Sequence, residues 1–554
     1  MPKYSKIVAD YVVVGAGSAG AVIAARLSED PDIRVVLLEA GGIDNSMLIR
    51  MPAGIGMLLT SGRHNWNYWT VPQKALGGRR ITMPRGKVLG GSSSINGMVY
   101  IRGHALDYER WAAEGATGWS YAEVLPYFLR LEDHAQRGGS YHDKGGPVKV
   151  VTGAGKNPLQ QAFVAAGVEA GYSRTDDFNG YSQEGFGPYD MNVDGGRRAS
   201  SAFAYLRPAR RRANLSIITG AEVDRVTVKN GRATGVEARI GRRTVNVMAE
   251  REVIISAGAT NSPKLLLLSG IGPADELGRL GINVVADHPE VGRNLQDHVE
   301  VHLQYRCPKP ITLYQDMKPL SKLMIGAQWI LRHDGKGATN HYEVGSFIHS
   351  DVGVRHPDLQ MHFGPICYSD PTQRVVIEDG FRIHVGSMRS QSKGSVTLAS
   401  ANPEDPPLID PCHMALEQDW IEARNAVRLT REVVAQKAFN GLRTDEISPG
   451  AGATSTKDID DFIRQTCLTA YHPAGSCRMG NDATAVVDPQ ARVQGIEGLR
   501  VADASIMPSI ISGNLNVPTM MIGEKVSDMI RGQALPSASS VSYHLRENWE
   551  SRQR

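Results

Sequence analysis

A glycine-rich turn between two predicted strands restricts the fold of this chain more than any other feature. DYVVVGAGSAG, residues 10–20, is an apolar run followed by glycines, and Glu39 ends the next apolar run, RVVLLE. The pattern predicts a buried parallel strand, a tight turn at Gly15, close backbone approach at Gly17 and helix packing through Gly20. The predicted helix Ser18–Leu27 would direct its N-terminal amides at a pyrophosphate, and Glu39 would accept hydrogen bonds from ribose hydroxyls. A dinucleotide-binding unit is therefore favoured over a glycine-rich loop without a ligand.

Two later segments decide between NAD and FAD. VIISAGATNSP, residues 253–263, contains an apolar run that ends at Ala257, and GLRVADAS, residues 498–505, contains one that ends at Asp503. Either run alone could be an ordinary core strand. Together they would return the chain beside the first unit, where a long flavin cofactor needs support along its length. We therefore predict FAD.

The composition agrees with a large enzyme rather than a nucleic-acid-binding protein. The chain has 554 residues, a formal net charge of +3 and 41% hydrophobic residues, which suggests more than one domain. This charge gives no reason to expect nucleic acid. No long apolar run predicts a membrane span, and the first residues have no apolar signal core. The 5 cysteines lack paired spacing, which is typical of reduced thiols in a cytoplasmic protein.

Changes in pattern along the chain predict an inserted domain. Residues 306–464 contain short alternating runs typical of antiparallel strands, followed by helical periodicity at residues 418–434. The predicted fold class is α/β, with a Rossmann-like FAD-binding domain and an inserted α+β substrate domain built on an antiparallel sheet. Residues 1–305 and 465–534 would form the FAD-binding domain, residues 306–464 the substrate domain, and residues 535–554 a mobile or interface tail.

His472, which precedes Pro473, is the candidate catalytic base. Oxidising an alcohol requires removal of the hydroxyl proton, and imidazole is the side chain that titrates nearest neutrality. The following proline restricts His472 to an extended backbone. A lone histidine is more often a packed or surface side chain, so this assignment depends on the surrounding motif.

Four motifs resemble the glucose–methanol–choline (GMC) oxidoreductases. They are GKVLGGSSSING at residues 86–97, GATNSPKLLLLSGIG at 258–272, VGRNLQDH at 291–298 and HPAGSCRMG at 472–480. The resemblance covers residues 8–532. Within the family, RTDDFNGYSQEGFGPYD, FRIHVGSMRSQSKG and DASIMPSIISGNLN are most similar to the choline-oxidising branch. Cys367 and Arg389 loosely resemble positions of the photodecarboxylase branch, which is a remote alternative.

The resemblance implies FAD-dependent oxidation of a primary alcohol to an aldehyde, with choline as the leading substrate. It makes His472 the base and places a histidine or asparagine partner at Asn516. Glu343 is the candidate carboxylate for a quaternary ammonium, with Trp66 and Tyr342 as candidate cage walls. No metal site is predicted. The predicted cofactor residues are Gly15, Gly17, Ser18, Gly20, Glu39, Ala40, Leu89, Gly90, Asn96, Gly97, Val223, Ala257, Asp503 and Pro518.

One departure from the family concerns flavin attachment. Some members hold FAD covalently through a histidine in the segment that matches GGSSSING, where this chain has Ile95. We therefore expect non-covalent FAD. The implied electron acceptor is a quinone-linked respiratory chain or O2, and a peripheral contact with the inner face of a membrane is an open possibility. The alternatives are an oxidase or dehydrogenase of aryl or aliphatic alcohols, and a flavin-binding protein without turnover.

Overall fold

The computed structural model describes residues 6–368 and 378–554, which form two large sheets with a long cavity between them. The α-helices span Ser18–Leu27, Met47–Arg50, Ile55–Thr60, Ala105–Ala113, Tyr121–Leu131, Pro158–Glu169, Arg207–Ala209, Gly258–Leu268, Ala274–Arg279, Pro319–Arg332, Glu417–Val434, Thr456–Thr466 and Asn516–Arg531. The predicted mixed α/β fold class is confirmed.

Sheet 1 carries the dinucleotide-binding pattern. Its strands run in the order Leu215–Thr219, Val35–Glu39, Lys6–Val14, Arg243–Ile255, Arg232–Ile240 and Ala221–Lys229, and Leu499–Val501 also pairs with Arg243–Ile255. The first four strands and Leu499–Val501 pair in parallel, whereas the remaining pairings are antiparallel. The first late apolar run is the end of strand Arg243–Ile255 and pairs with Lys6–Val14, and the second pairs with the first, so both return beside the first unit as predicted. Their carboxyl ends lie beside the glycine-rich turn.

The turn after Lys6–Val14 needs glycine because it packs against other backbone. Gly15 has φ +94°, and a Cβ there would lie 2.5 Å from the Ser256 oxygen. A Cβ on Gly20 would lie 1.9 Å from the Gly15 oxygen, so only glycine lets helix Ser18–Leu27 approach the strand this closely. The helix and both flanking strands match the sequence prediction.

Sheet 2 is antiparallel and has one apolar and one polar face. Its strands run in the order Glu446–Ser448, Val299–Arg306, Gly380–Ser387, Leu359–Gly364, Val344–Ile348 and Gly185–Pro188, with Leu468–Thr469 also paired to Val299–Arg306. Alternate residues, including Val301, Met361 and Ile383, join a core with helices Pro158–Glu169 and Glu417–Val434. The residues between them point the other way. Sheet 2 therefore presents a polar row towards sheet 1.

This antiparallel sheet was predicted, but it is not confined to residues 306–464. Strand Gly185–Pro188 precedes that range, Val299–Arg306 begins before it and ends at its first residue, and Leu468–Thr469 follows it. The change in sequence pattern marks where most of these strands lie along the chain. It does not mark which earlier segments pair with them, because strand pairing is a long-range property.

Smaller elements complete the fold. A four-stranded sheet contains Val99–Tyr100, Asp190–Met191, Val148–Thr152 and Glu132–His134, and two-stranded pairs join Tyr68–Trp69 with Thr82–Met83, Val193–Asp194 with Arg197–Arg198, Ile271–Gly272 with Ala286–Asp287, and Ser395–Thr397 with Leu408–Asp410. Residues 535–554 lie against the surface, where the amides of Ser539 and His544 donate to Ala122 and Tyr181. In the described ranges, no helix has the length and apolar character that crossing a bilayer requires.

Candidate active site

Most predicted cofactor residues meet in the cavity between the sheets. Both faces contribute, from Val14 and Ser256 of sheet 1 to Glu300 and His384 of sheet 2. The predicted residues that line it are Gly15, Gly17, Ser18, Glu39, Ala40, Asn96, Gly97, Val223, Ala257, Asp503, His472, Asn516, Trp66 and Tyr342. The fold therefore brings together predicted residues as distant in the chain as Gly15 and Asn516.

Four predicted cofactor residues lie behind the cavity wall instead. Gly20 packs on Gly15, as its predicted helix-packing role requires. The Leu89 amide donates to the Gly42 oxygen, and the Gly90 amide donates to the Ala16 oxygen at 2.8 Å. Pro518 is buried within helix Asn516–Arg531, two positions after its first residue. These residues shape the wall but are not part of its lining.

The cavity fits FAD at its glycine-rich end. Gly17 differs from Gly15 and Gly20, because the nearest protein atom to a Cβ there is 3.9 Å away and the residue borders the cavity. The backbone is thus open towards a ligand at this glycine. The Glu39 carboxylate accepts from the amides of Ala16 and Gly41, at 2.9 and 2.8 Å. Burial raises the pKa of Glu39 to about 7.

Asn516 is a second residue whose contacts fit a ligand in the cavity. Its Oδ1 accepts from Ser18 Oγ at 2.8 Å, whereas its buried Nδ2 has no partner within the described residues. Because a buried amide donor is costly to leave unpaired, this group is available to a polar ligand in the cavity. Ile95 also lines the cavity and has no atom that could bond covalently to flavin.

Asp503 holds the turn after strand Leu499–Val501. Its Oδ2 accepts from the Gly258 amide at 2.8 Å and from Ser262 Oγ at 2.6 Å, while Oδ1 accepts from the Ser505 amide. The carboxylate therefore joins the starts of helix Gly258–Leu268 and the Ala504–Ile506 turn at the cavity edge.

A chain of hydrogen bonds orients His472. His298 Nε2 lies 2.9 Å from the Met388 carbonyl oxygen, which can only accept, so this nitrogen carries the proton. Burial lowers the pKa of His298, so its ring is neutral and Nδ1 accepts. His472 Nδ1, 3.0 Å away, must then be the donor. The lone pair of His472 consequently lies on Nε2, within the cavity.

His472 is suited to accept a proton from a substrate. Burial, reinforced by the neighbouring His298 ring, holds the pKa of His472 well below its ordinary value. The ring is therefore neutral at physiological pH. A neutral imidazole with a fixed Nε2 lone pair is the form that a general base requires.

The structure corrects the predicted partner of His472. Nε2 of His472 lies 3.2 Å from Nδ2 of Asn514, and Asn516 instead bonds Ser18. Gln360 Nε2 donates to Asn514 Oδ1 at 3.0 Å, which fixes the amide with its nitrogen towards His472. Helix Asn516–Arg531 begins two residues after Asn514, so the loop before the helix, not its first turn, faces the base.

The structure also corrects the predicted carboxylate for the quaternary ammonium. Glu343 does not line the cavity, and its Oε1 accepts from Thr339 Oγ1 at 2.9 Å. Glu300 lines the cavity instead, and its Oε1 is the acceptor for His302 Nε2 at 2.7 Å and His384 Nδ1 at 2.8 Å. Although burial favours the neutral acid, the two imidazoles hold the pKa of Glu300 well below its ordinary value. Glu300 is therefore ionised.

Aromatic side chains line the same cavity as this carboxylate. Tyr342, Tyr471 and Trp66 line the same cavity. Tyr342 packs edge-on to His384, with ring centroids 5.4 Å apart. Lys87 Nζ already lies 3.9 Å from the Trp66 ring centroid, so that face of Trp66 is occupied. Tyr342 and Tyr471 are consequently the better candidates for cage walls.

Among the residues that the structure describes, two groups have potential metal-ligand atoms within 4.8 Å of one another. One is Glu300, His302 and His384, and the other is Glu132, His134 and His142. In each group, the carboxylate and at least one imidazole are already hydrogen-bonded to each other. Cys367 and Arg389, the residues of the remote alternative, do not line the cavity.

Sequence reasoning missed His298, Glu300 and Asn514. A signal was present for the first two, because the segment HVEVH that begins with the last residue of VGRNLQDH alternates polar and apolar residues. In a strand, such alternation puts His298, Glu300 and His302 on one face. For Asn514, the sequence Asn-Leu-Asn contains two asparagines, and no local rule indicates which of them contacts His472.

Known proteins resemble this chain over nearly its whole length. Family models described as GMC oxidoreductase match residues 9–300 and 390–523. "Oxygen-dependent choline dehydrogenase" from Brucella anthropi is 48% identical over 98% of this chain and 99% of its own length, and "Choline dehydrogenase, mitochondrial" from Homo sapiens is 50% identical over 94% and 90%. Pyridoxine 4-oxidase from Mesorbium loti has a solved structure with a TM-score of 0.87 and 32% identity, covering 95% of this chain and 100% of that one.

Proposed function

Because the chain belongs to the GMC oxidoreductase family, we propose that it oxidises choline to betaine aldehyde with non-covalently bound FAD. One observation carries the proposal: an ionised carboxylate, Glu300, and a neutral base, His472, line the same cavity. Choline needs both groups, since its trimethylammonium is a cation without a conventional donor and its hydroxyl must lose a proton.

The residues divide the work as follows. Glu300 attracts the cationic end, and Tyr342 and Tyr471 offer aromatic faces to its methyl groups. His472 Nε2 accepts the hydroxyl proton, and Asn514 Nδ2 donates to the same oxygen as it gains negative charge. FAD, when bound, supplies the acceptor for the hydride from the alcohol carbon. Gln360 and His298 keep Asn514 and His472 in the required orientation.

The acceptor that completes turnover is a quinone or dioxygen. Over the full cycle the alcohol loses two electrons and two protons, which convert a quinone to a quinol or dioxygen to hydrogen peroxide. The names of the Brucella and human relatives support the choline assignment. We further propose a cytoplasmic protein that contacts the inner face of the membrane.

The test is anaerobic reduction of the purified yellow enzyme by choline. In His472→Ala, choline should reduce the flavin roughly 10²–10⁴-fold more slowly, which is the usual contribution of a positioned base. The variant should keep its FAD. His288→Ala is the matched control, because His288 is also buried but does not line the cavity. Bleaching of His472→Ala at the wild-type rate would overturn the assigned base. A wild-type flavin that no alcohol reduces would point to the non-catalytic alternative.

Flavin attachment is tested on the same preparation. Acid precipitation should release FAD into the supernatant, since Ile95 offers no attachment point. Flavin that stayed with the precipitated polypeptide would contradict non-covalent binding. A panel of benzyl and aliphatic alcohols separates the choline assignment from the general alcohol-oxidising alternative, because only choline gains from the Glu300 charge.

A further inference from the structure

The backbone that carries the base has an unfavourable conformation. Tyr471, immediately before His472, has φ +67°, in the left-handed region that tyrosine rarely adopts. In an extended segment, neighbouring side chains point to opposite sides, yet Tyr471 and His472 both line the cavity. The left-handed residue therefore turns the chain so that two consecutive residues reach one site. A conformation of this kind persists only where the surrounding contacts enforce it.

Asp297 enforces this turn through its two carboxylate oxygens. Oδ1 accepts a hydrogen bond from the His472 amide at 2.9 Å, and Oδ2 accepts one from the Thr469 hydroxyl. The same hydroxyl oxygen accepts from the Tyr471 amide at 2.8 Å. One carboxylate thus fixes the His472 amide directly and the Tyr471 amide through Thr469.

Two further contacts hold the same turn. Arg85 donates to the Tyr471 carbonyl oxygen. Gln296, next to Asp297 in the sequence, exchanges backbone hydrogen bonds with Ala474, each 2.9 Å long. The segment that contains Gln296 and Asp297 therefore runs alongside the segment that contains the base, and within it the Asp297 side chain reaches the backbone of the base.

Asp297 also places a negative charge beside the base. Within the described residues, its buried carboxylate forms no ion pair with lysine or arginine, and Arg85 acts on it only through space. Burial favours the neutral acid, but hydrogen bonds from His413 and Thr469 hold the pKa of Asp297 below its ordinary value. Asp297 is therefore ionised, and its charge favours the protonated form of the nearby His472 ring.

We propose that Asp297 is a positioning residue for the base, whose carboxylate holds the Tyr471–His472 turn and stabilises the imidazolium that proton transfer produces. The proton passes from the substrate hydroxyl oxygen to His472 Nε2, and Asp297 neither gains nor loses one. This role rests on the proposed function in one respect, that His472 is the base. It does not depend on choline being the alcohol.

Rapid anaerobic mixing of the FAD-loaded enzyme with an alcohol separates the limiting rate of flavin reduction from the Kd of the alcohol. Asp297→Asn keeps the shape of the side chain but removes its charge and one acceptor oxygen. The limiting rate should fall roughly 10–10²-fold, the usual cost of a displaced catalytic group, while the Kd changes little. A wild-type limiting rate in this variant would overturn the proposal, even if its Tm were lower.

Asp419→Asn is the matched control. Asp419 is also buried, accepts from the hydroxyls of Ser390 and Ser392, and does not line the cavity. Its replacement should leave the limiting rate unchanged, although it too removes a buried carboxylate. An equal slowing in both variants would indicate general damage to the fold and overturn the specific role of Asp297.

Thr469→Val loosens the turn without altering the carboxylate. Valine has no oxygen for the Tyr471 amide, so the limiting rate should fall roughly two- to ten-fold, the contribution of one hydrogen bond. Thr430→Val, which changes another buried threonine in helix Glu417–Val434, should reduce its flavin as wild type does. If Asp297→Asn failed to retain FAD, a wild-type rate in Thr469→Val would overturn the proposal.

A double-mutant cycle shows whether Asp297 acts through the base. Once the imidazole is absent there is nothing left to position, so adding Asp297→Asn to His472→Ala should cost less than about two-fold more. Losses that multiply would place the effect of Asp297 elsewhere and overturn the proposal.

The same measurements separate this role from the proposed function. They can use whichever alcohol reduces the wild-type flavin, so failure of choline would reject the substrate and leave the role of Asp297 in place. A wild-type rate in His472→Ala would reject the base itself. A slow His472→Ala combined with multiplying losses would reject only the role of Asp297.

Discussion

Two clusters of one glutamate and two histidines, found among the described residues, differ in charge. In the cavity, Glu300 accepts hydrogen bonds from both His302 and His384. In the four-stranded sheet, Glu132 Oε1 pairs with His142 Nδ1 at 2.7 Å, and His142 Nε2 pairs with Asp177 at 2.8 Å. His142 thus lies between two carboxylates, whereas the two cavity imidazoles share one.

The number of carboxylates that contact each histidine determines its protonation state. Burial lowers the pKa of His302 and of His384, and both rings are neutral. Burial also acts against His142, but its hydrogen bonds to Asp177 and Glu132 raise its pKa. Glu132 additionally binds the buried Arg102. The cluster in the four-stranded sheet is therefore internally neutralised.

The carboxylate of the cavity cluster has no direct ion pair with lysine or arginine within the described residues. The buried Arg382 donates to the Tyr342 hydroxyl at 2.6 Å and interacts with Glu300 only through space. The Glu300 oxygens at the cavity wall are therefore still available to a cationic ligand. The same residue types therefore stabilise structure in one place and are available to a ligand in the other.

The largest expected effect is on substrate discrimination. Glu300→Gln should raise the KM for choline on the order of 10²-fold, because a charge attraction of a few kcal/mol is lost. The KM for 3,3-dimethylbutan-1-ol, its uncharged isostere, should change little. Steady-state kinetics with both alcohols checks this.

Glu343→Gln is the matched control for that measurement. Glu343 bonds Thr339 and does not line the cavity, so its replacement should leave both KM values unchanged. An equal loss for both alcohols in Glu300→Gln would remove the cation role from Glu300. A selective loss in Glu343→Gln would restore the original sequence prediction.

The second expected effect is on stability. Glu132→Gln leaves buried Arg102 and His142 without their shared carboxylate, which should cost about 3–5 kcal/mol in the free energy of unfolding. Glu300→Gln should cost less, because both of its partners are already neutral. Thermal unfolding at one scan rate measures both variants. A larger loss of Tm in Glu300→Gln than in Glu132→Gln would contradict the comparison.

The smallest expected effect is on the pH dependence of Tm. A raised pKa in the folded state means that the stability contributed by His142 is present below pH 6.5 and is lost as pH rises through its folded pKa. The lowered pKa of His384 has the opposite sign, since the unfolded chain binds the proton more readily and stability falls as pH drops below 6.5.

Single substitutions separate these two contributions. His142→Asn should flatten the decline of Tm above pH 6.5, and His384→Asn should flatten the decline below it, each by about one to two degrees. Unfolding scans across the pH range provide the check. Equal slopes in the two variants would show that the two clusters do not differ in protonation.

Local sequence patterns were sufficient to predict individual turns, helices and strands. The glycine-rich turn, helix Ser18–Leu27 and the late strand Leu499–Val501 were predicted because apolar runs and glycines have short-range consequences. The FAD assignment followed from three short motifs taken together, and the prediction of His472 as the base followed from its own motif and the family resemblance. Family resemblance then supplied the order in which these pieces form one site.

Tertiary structure decided which polar side chains face one another. Asn514 and Asn516 differ by two positions, and only the three-dimensional path of the loop before the last helix places Asn514 at His472. Glu300 lies in one strand of sheet 2 and Glu343 directly precedes another, and only the pairing of sheet 2 puts Glu300 in the cavity. Sequence alone determined the fold class and the cofactor, because turns and strands depend on neighbouring residues. The charge pattern of the cavity depends on contacts between segments far apart in the chain, which no local pattern encodes.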